Sequence, residues 1–347
     1  MSSKILFQCD YNEGAHPKVL ERLVATNMEQ TVGYSEDEYC AAAAEKIRKA
    51  CGDDSLAVHF LVGGTQTNMT VIDTALRSYQ GVLCAVTGHI NVHETGAVES
   101  CGHKVLGLPS ADGKITAAQV EEAYREHVHN DSFEHMVQPK MVYISNPTEL
   151  GTIYSKAELT ALSEVCHKNG LYLFMDGARL GYGLMAPDND LTLADMAALC
   201  DVFYIGGTKV GALFGEAVVI RNEELKQDFR YFIKQKGGML AKGRLLGLQF
   251  DALFTDNLYF EISKHAIDMA EKLRGAFEKK GYPYLVPNRT NQIFVIMPDE
   301  VLEKLAENYG YCYDHRVDET HSAVRFCTSW ATKEENLDAL IQSVLAL

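Results

Sequence analysis

Lys209 has the clearest potential for chemistry in this chain. It follows a predicted strand, Val202–Ile205, in the turn GGTK. A lysine held at a strand end can have its pKa lowered by burial, and the neutral amine can then form a Schiff base with a carbonyl group. The alternative is a solvated surface lysine, but the apolar segment VGALFG directly behind the turn favours burial.

Asp176 and Arg179 lie in a second turn, DGAR, after the predicted strand Leu171–Met175. The two side chains could simply pair with each other. Alternatively, Asp176 could hold a protonated ring nitrogen and leave Arg179 for an oxyanion. The sequence leaves both interpretations open.

A glycine-rich turn, GGTQTN from Gly63 to Asn68, follows the predicted strand Ala57–Val62 and precedes a predicted helix. Glycines allow close backbone approach, and the first N–H groups of a helix suit an anion, with the Thr65 hydroxyl assisting. Such a turn alone often has no ligand. Together with Lys209 and Asp176, however, it completes the three parts needed to hold pyridoxal phosphate.

The elements that must position these residues alternate between short apolar runs and amphipathic stretches. Apolar strands separated by helices predict an α/β fold with a mostly parallel sheet, in which ligands lie at the carboxyl ends of the strands. We expect one domain over residues 1–253, with an N-terminal arm, and a smaller α+β domain over 254–347. Long helices are predicted at Asn222–Gln235 and Leu245–Arg274, and a strand pair within Tyr284–Met297.

The charge and the cysteine content of the chain limit which partners, metal sites and compartments are expected. The chain has 347 residues with 32 basic and 47 acidic side chains, a formal charge of −15. An acidic surface disfavours nucleic acids and anionic lipids, so we expect neither as a partner. Nine scattered cysteines form no CxxC pair, which predicts free thiols in a reducing compartment and no metal site. With no apparent leader or spanning segment, the cytoplasm is the expected location.

The order of GGT, DGAR and the lysine turn resembles the fold-type-I pyridoxal-phosphate enzymes, and within them the threonine aldolase and β-eliminating lyase family. The resemblance runs from DYNEGAHP at Asp10 to RFCTSW at Arg325, and it includes the segment GHINVHETGA. It implies a pyridoxal-phosphate-dependent lyase acting on a small amino acid, and we expect a homodimer or homotetramer.

The same resemblance assigns roles to individual residues. Lys209 would bind the cofactor covalently and Asp176 would contact its pyridine nitrogen. Gly64 and Thr65 would hold the phosphate. His89 would stack on the cofactor ring with support from Glu94. The substrate carboxylate would be bound by Arg179, which would also lie near the cofactor's phenolic oxygen, and by Arg325.

Two departures from the family pattern affect the substrate. The family has Asn-Thr-His after the strand that ends at Ser145, whereas this chain reads SNPTELG and places Thr148 where the histidine would be. Neither Asn146 nor Thr148 titrates near neutrality, so we expect the substrate's β-hydroxyl proton to leave through His89, His93 or water. A GGGMRQ-type stretch is replaced by KGGMLAKG, where Lys236 or Lys242 could supply the missing charge.

The favoured function is cleavage of a β-hydroxy-α-amino acid, of the threonine, allo-threonine or phenylserine type, to glycine and an aldehyde. Thr148 is a candidate contact for the substrate. Because the family's histidine is missing there, a weaker base must take the proton, and phenylserine-like substrates, whose conjugated aldehyde is more stable, are expected to react faster than threonine. β-Elimination on an amino acid is a second enzymatic possibility, and a non-catalytic cofactor-binding protein on the same scaffold is a third. An intact lysine, aspartate and carboxylate-binding arginine argue against the third.

Overall fold

The computed structural model describes residues 4–347. The strands are β1 (Ile5–Leu6), β2 (Ala57–Leu61), β3 (Gln80–Ala85), β4 (Lys104–Leu108), β5 (Gln138–Ser145), β6 (Tyr172–Asp176), β7 (Val202–Gly206), β8 (Glu216–Ile220), β9 (Gln292–Pro298), β10 (Tyr309–Gly310), β11 (Cys312–Arg316) and β12 (His321–Cys327). The helices are α1 (Pro17–Ala25), α2 (Glu38–Cys51), α3 (Gly64–Ala75), α4 (His89–Val92), α5 (Ala97–Ser100), α6 (Ala117–Val128), α7 (Lys156–Lys168), α8 (Leu180–Leu184), α9 (Leu193–Leu199), α10 (Glu223–Lys226), α11 (Phe229–Gln235), α12 (Arg244–Leu253), α13 (Leu258–Lys280), α14 (Asp299–Ala306) and α15 (Glu334–Ala346). A short 3₁₀ helix spans Phe133–His135.

A mostly parallel central sheet confirms the predicted α/β fold. Within residues 4–347 it has seven strands in the order β2-β8-β7-β6-β5-β3-β4. Only β8 runs antiparallel to its neighbours β2 and β7. The first residue of β8, Glu216, therefore lies opposite Leu61 and Gly206, at the edge where the other strands end. Two hydrophobic clusters cover the sheet, as expected for strands that are apolar throughout.

A smaller unit contains the antiparallel sheet β11-β12-β9, with α13, α14 and α15 packed against it. The N-terminal strand β1 pairs with β10, and Phe7 belongs to the core of this unit. The first half of α13 contributes to the main core, and its second half to the small one. The expected boundary between 253 and 254 falls in the turn before α13 and stays a prediction, because this helix is shared.

The two long helices predicted after Ile220 are each broken, so that prediction was wrong in detail. The first divides into α10 and α11 at Asp228, which has a φ of 59°. The second divides into α12 and α13 at Asp256 and Asn257, which have φ values of 50° and 58°. Asp and Asn enter the left-handed region at lower cost than most residues, so the backbone can break a helix at these positions without a glycine or proline. The helical spacing of apolar residues continues across the break and does not reveal it.

The edge strands β4 and β11 were not predicted. The residues of β11 are largely exposed and polar, and β4 contains a glycine and an exposed lysine. Neither therefore shows an apolar run. The strand pair expected within Tyr284–Met297 is reduced to β9 and a single bridge from Tyr284 to Val295.

A helix that crosses a bilayer must be both long and apolar. Among residues 4–347, none combines enough length with enough hydropathy to span a membrane.

Candidate functional site

A cavity of about 310 Å³ opens at the edge of the sheet where β2, β5, β6 and β7 end. This size lies at the small end of the ~300–1,000 Å³ typical of ligand pockets. Six residues predicted from the sequence line it: Gly64, Thr65, His89, Asp176, Arg179 and Lys209. The rule that ligands bind at strand carboxyl ends therefore located the cavity correctly.

Lys209 lies in the turn after β7, and this turn fixes its backbone. Its carbonyl oxygen accepts a hydrogen bond of 2.6 Å from the Tyr182 hydroxyl. Burial lowers the pKa of Lys209, and the nearby positive charge of Arg179 adds to that effect. The anions Asp10 and Asp176 act in the opposite direction but do not reverse the shift. The lowered pKa favours the neutral form of the amine, which is the form that reacts with a carbonyl group.

Asp176 ends β6 and is held as an acceptor of several hydrogen bonds. Its Oδ2 accepts bonds of 2.6 Å from the Tyr143 hydroxyl and 3.0 Å from the Asn68 amide, and its Oδ1 accepts one of 2.9 Å from the Ala178 N–H. Burial alone would raise its pKa, but these donors, together with Tyr204, lower it. Asp176 therefore stays ionised in the cavity wall, as a partner for a protonated ring nitrogen must.

Arg179 pairs with Asp10 and not with Asp176, so the simple pairing left open by the sequence is wrong. Arg179 Nε and Nη2 donate bonds of 2.7 and 3.0 Å to the two Asp10 oxygens. Asp10 also accepts a bond of 2.9 Å from the Asn291 amide. Burial disfavours the Asp10 carboxylate, but the charges of Arg179 and Lys209 and the hydrogen bonds from Arg179 and Asn291 together outweigh it and keep the pKa of Asp10 below its usual value.

His89 joins the site through a chain of polar contacts. Its Nδ1 lies 2.7 Å from Glu94 Oε1, the partner that the sequence predicted. The same Glu94 oxygen accepts a bond of 2.7 Å from Asn68, whose amide also bonds Asp176. Burial lowers the pKa of His89, but the Glu94 hydrogen bond and the charge of Asp176 reverse that shift and raise it.

The turn before α3 presents backbone N–H groups to the cavity. Gly63 and Gly64 line it, and the 12-residue helix α3 begins at Gly64. The Thr65 side chain is exposed to the cavity and makes no hydrogen bond within residues 4–347. Thr208, just before Lys209, adds a second hydroxyl to the lining. The free N–H groups and hydroxyls of this turn suit a phosphate.

Two predicted substrate contacts do not line the cavity. The Thr148 hydroxyl bonds Thr152 Oγ1 at 2.7 Å and lies 3.5 Å from the carbonyl of Asp112, inside its own loop. The contact of Thr148 with substrate therefore stays a prediction, and the hydrogen bonds of its hydroxyl lie within this loop. Arg325 lies beside the cavity, where Nη1 donates to Gln292 and Nη2 to the carbonyl of Gln8, both at 3.0 Å.

The lysines considered for the missing family arginine also lie elsewhere. Lys236 Nζ pairs with Asp73 at 2.6 Å, and Lys242 is exposed. Neither residue lines the cavity.

Two carboxylates in the cavity wall, one buried and one half-buried, were not predicted from the sequence. Glu216 accepts bonds of 2.9 Å from the Gly207 N–H and from the Thr208 hydroxyl, on the turn that carries Lys209. Burial raises the pKa of Glu216 to about 7. Glu149, in SNPTELG, also lines the cavity and accepts a bond from the His89 N–H at 2.9 Å. The sequence feature that could have identified Glu216 is a carboxylate at the first position of an otherwise apolar strand, EAVVI.

The donor set fits pyridoxal phosphate. The α3 turn offers N–H groups to a phosphate, Asp176 offers an ionised acceptor to the ring nitrogen, and Lys209 offers an amine whose pKa is lowered. The α/β fold and this site together define a fold-type-I pyridoxal-phosphate enzyme.

Comparisons with known proteins agree. The family described as β-eliminating lyase matches residues 9–300. A low-specificity L-threonine aldolase from a Pseudomonas species is 31% identical, over 98% of this chain and 97% of its own length. A solved structure of Leishmania major threonine aldolase has 45% identity and a TM-score of 0.95, with 98% of both chains covered. A Thermus thermophilus aspartate aminotransferase, 16% identical over 99% of this chain and 91% of its own, shares the fold with a TM-score of 0.72.

The chain belongs to the threonine aldolase and β-eliminating lyase family, which confirms the resemblance read from the sequence. It is a lyase with pyridoxal phosphate as its cofactor.

Proposed function

We propose that this enzyme cleaves the Cα–Cβ bond of β-hydroxy-α-amino acids to give glycine and an aldehyde. The observation that carries the proposal is the meeting of Lys209, Asp176 and Arg179 in one cavity. The chain that builds this cavity matches a low-specificity L-threonine aldolase over nearly its full length. The three side chains supply the amine, the anion and the carboxylate-binding cation that this reaction needs.

Each residue has a separate task in the proposal. Lys209 would hold the cofactor covalently through its amine. Asp176, ionised and fixed by three donors, would keep the ring nitrogen protonated. Gly64 and Thr65 would hold the phosphate at the start of α3, and His89, whose Nδ1 is fixed by Glu94, would support the ring. When bound, the cofactor supplies an electron sink for the bond that is cleaved.

Orientation of the substrate decides which bond breaks. Arg179 uses Nε and Nη2 for Asp10, which leaves its Nη1 without a partner within residues 4–347. We assign that nitrogen to the substrate carboxylate, with Arg325 beside the cavity as a second cation. Fixing the carboxylate restricts rotation about the N–Cα bond, and in this proposal the orientation that is held is the one with the Cα–Cβ bond in the reactive position.

β-Elimination is the second candidate, favoured by the description of the matching family. It would use the same lysine, aspartate and arginines, but with the Cα–H bond aligned. Its products from serine or cysteine derivatives would be pyruvate and ammonia.

Product analysis separates the two. Purified enzyme is incubated with threonine, allo-threonine, phenylserine and serine derivatives, and glycine, aldehyde, pyruvate and ammonia are quantified. Glycine with a stoichiometric aldehyde supports the proposal, whereas pyruvate and ammonia without glycine would assign the protein to the eliminating lyases. Borohydride reduction and peptide mapping should find the pyridoxyl adduct on Lys209, and an adduct on another lysine would refute the site.

Assembly and location belong to the same proposal. We infer a homodimer or homotetramer in the cytoplasm, with a small amino acid as the only partner. Free cysteines throughout residues 4–347 support a reducing compartment. The acidic composition supports a small molecule and not a nucleic acid as the partner. Sedimentation of the purified holoenzyme would give the assembly, and fractionation of the source cells the compartment.

A further inference from the structure

Glu149 is a carboxylate of the cavity to which neither the sequence pattern nor the mechanism above gives a role. It follows β5 by four residues, in the loop whose Thr148 points away from the cavity. Glu149 Oε1 accepts bonds of 2.6 Å from the Ser145 hydroxyl and 2.9 Å from the His89 N–H. The carboxylate is thereby fixed at the side of the cavity where His89 lies.

The second oxygen of Glu149 is free to act on a ligand. Oε2 accepts no hydrogen bond from another residue within residues 4–347, and the side chain lines the cavity. The remaining donor to the carboxylate is the N–H of Glu149 itself. Burial raises the pKa of Glu149, and the bond from Ser145 only partly opposes that shift. A raised pKa makes a carboxylate a stronger base near neutral pH.

The other candidates for accepting a proton in this cavity are less suitable. His89 is bonded to Glu94 and its pKa is raised, which favours the imidazolium form. Asp176 already accepts three hydrogen bonds, and a lowered pKa makes it a weak base. Glu216 uses both oxygens on the turn of Lys209.

We propose that Glu149 Oε2 accepts the β-hydroxyl proton of the substrate when the Cα–Cβ bond breaks. This assignment rests on the aldolase function proposed above. Since Thr148 cannot titrate, the sequence predicted that the proton leaves through His89, His93 or water. The assignment to Glu149 replaces that prediction.

The step is balanced without a further reactant. The O–H bond breaks and its proton passes to the carboxylate, and the O–H electron pair becomes the second C–O bond of the aldehyde. The Cα–Cβ electron pair stays on the carbon that becomes glycine. Glu149 later releases its proton to water, and the glycine carbon takes up one proton, so one amino acid gives one glycine and one aldehyde.

The test is Glu149→Gln, which keeps the shape and an Oε1 acceptor but cannot take up a proton. Loss of a general base costs about 10²–10⁴-fold in rate, so we expect kcat for phenylserine and threonine to fall by that range. Exchange of the glycine α-proton with solvent does not involve a β-hydroxyl. We therefore expect this exchange, and cofactor affinity measured by titration of the cofactor-free protein, to stay within about threefold. Glu149→Asp should restore part of the cleavage rate.

A second variant uses the pH profile, which a merely structural role would not move. The titratable groups facing Glu149 are Cys84, His89, Tyr143, Tyr154 and Asp176. The Ser145 bond lowers the pKa of Glu149, so Ser145→Ala should raise it. The acidic limb of kcat for cleavage should then move to higher pH, while the limb for glycine exchange stays in place.

The controls distinguish failure of this proposal from failure of the function. Asp112→Asn removes an exposed carboxylate that does not line the cavity, next to the same loop, and we expect cleavage within about threefold of the wild type. Wild-type enzyme that releases no glycine from any hydroxy amino acid would overturn the function itself. With wild-type cleavage intact, full activity in Glu149→Gln, or parallel loss of cleavage and exchange, would overturn only the role of Glu149. If Glu149→Gln does not fold, Ser145→Ala and Glu149→Asp decide by the same criteria.

Discussion

Replacing Asp10 with asparagine tests the ion pair that holds Arg179 at the cavity. Asp10 is fully buried, and both of its oxygens accept hydrogen bonds, from Arg179 on both sides and from Asn291 on one. An asparagine amide in either orientation would point an N–H donor at one of these donors. Arg179 would also lose its neutralising charge while its side chain stays only 13% exposed.

The expected loss is about 3 kcal/mol in the free energy of unfolding. Removing one partner of a buried ion pair costs about 3–5 kcal/mol, and the partial exposure of Arg179 places this case at the low end. At about 2.1 cal/mol/K per residue, a chain of 347 residues has an unfolding entropy of about 0.7 kcal/mol/K, so Tm should fall by about 4 °C.

The assay is thermal unfolding followed by calorimetry at one scan rate for all variants, because irreversible unfolding makes Tm depend on that rate. The pKa of Asp10 is lowered in the folded protein, so its contribution is present above its ordinary value of 3.8 and is lost as pH falls through the folded pKa. The difference in Tm between the wild type and Asp10→Asn should therefore be the same at about pH 5 and at about pH 8.

A matched control removes a surface carboxylate in the same way. Asp268 pairs with Lys264 on α13, and both side chains are about half exposed, so Asp268→Asn should change stability by less than about 0.5 kcal/mol. Equal Tm values for Asp10→Asn and Asp268→Asn would refute our account of the Arg179 pair. A difference that grows between pH 5 and pH 8 would show that another group titrates with Asp10.

Three further predictions concern carboxylates of the cavity. Asp176→Ala should reduce kcat far more than cofactor affinity, which should weaken by at most about 1.5–3 kcal/mol, the cost of one charge-assisted hydrogen bond; unchanged turnover would remove Asp176 from the mechanism. Glu216 raises the pKa of Lys209, so in the cofactor-free protein Glu216→Gln should shift acylation of Lys209, mapped by mass spectrometry, to lower pH. Glu94 raises the pKa of His89, so Glu94→Gln should lower the ring pKa measured by NMR, and a rise would contradict the assigned contact.

Much of the site could be predicted because its residues follow parallel strands. Asp176 and Lys209 follow apolar runs, and the strand-end rule therefore predicts that they lie at the same edge of the sheet. Glu216 was missed for a matching reason. It begins β8, and the beginning of a strand reaches the active edge only if that strand is antiparallel, which an apolar pattern does not show.

Contacts between distant segments were the other limit. Asp10 meets Arg179 from 169 positions away and Asn291 from 281, so no local spacing connects the three residues. Position within a loop does not determine which side chain faces the cavity, so the sequence singled out Thr148, whose hydroxyl bonds within its own loop. The adjacent Glu149 faces it instead.

The difference between Asp176 and Glu149 follows from the donors that surround each carboxylate. The two lie near each other, since Ser145 at the end of β5 is paired in register with Asp176 at the end of β6. Asp176 receives donors on both oxygens, which together outweigh burial and lower its pKa. The donors to Glu149 from other residues, Ser145 and His89, both bond Oε1, and burial together with the charge of Asp176 outweighs them and raises its pKa. One carboxylate therefore keeps its charge and can hold a cation permanently, while its neighbour can exchange a proton during turnover. Such a separation of pKa values within one cavity is how a single site provides both a fixed anion and a base.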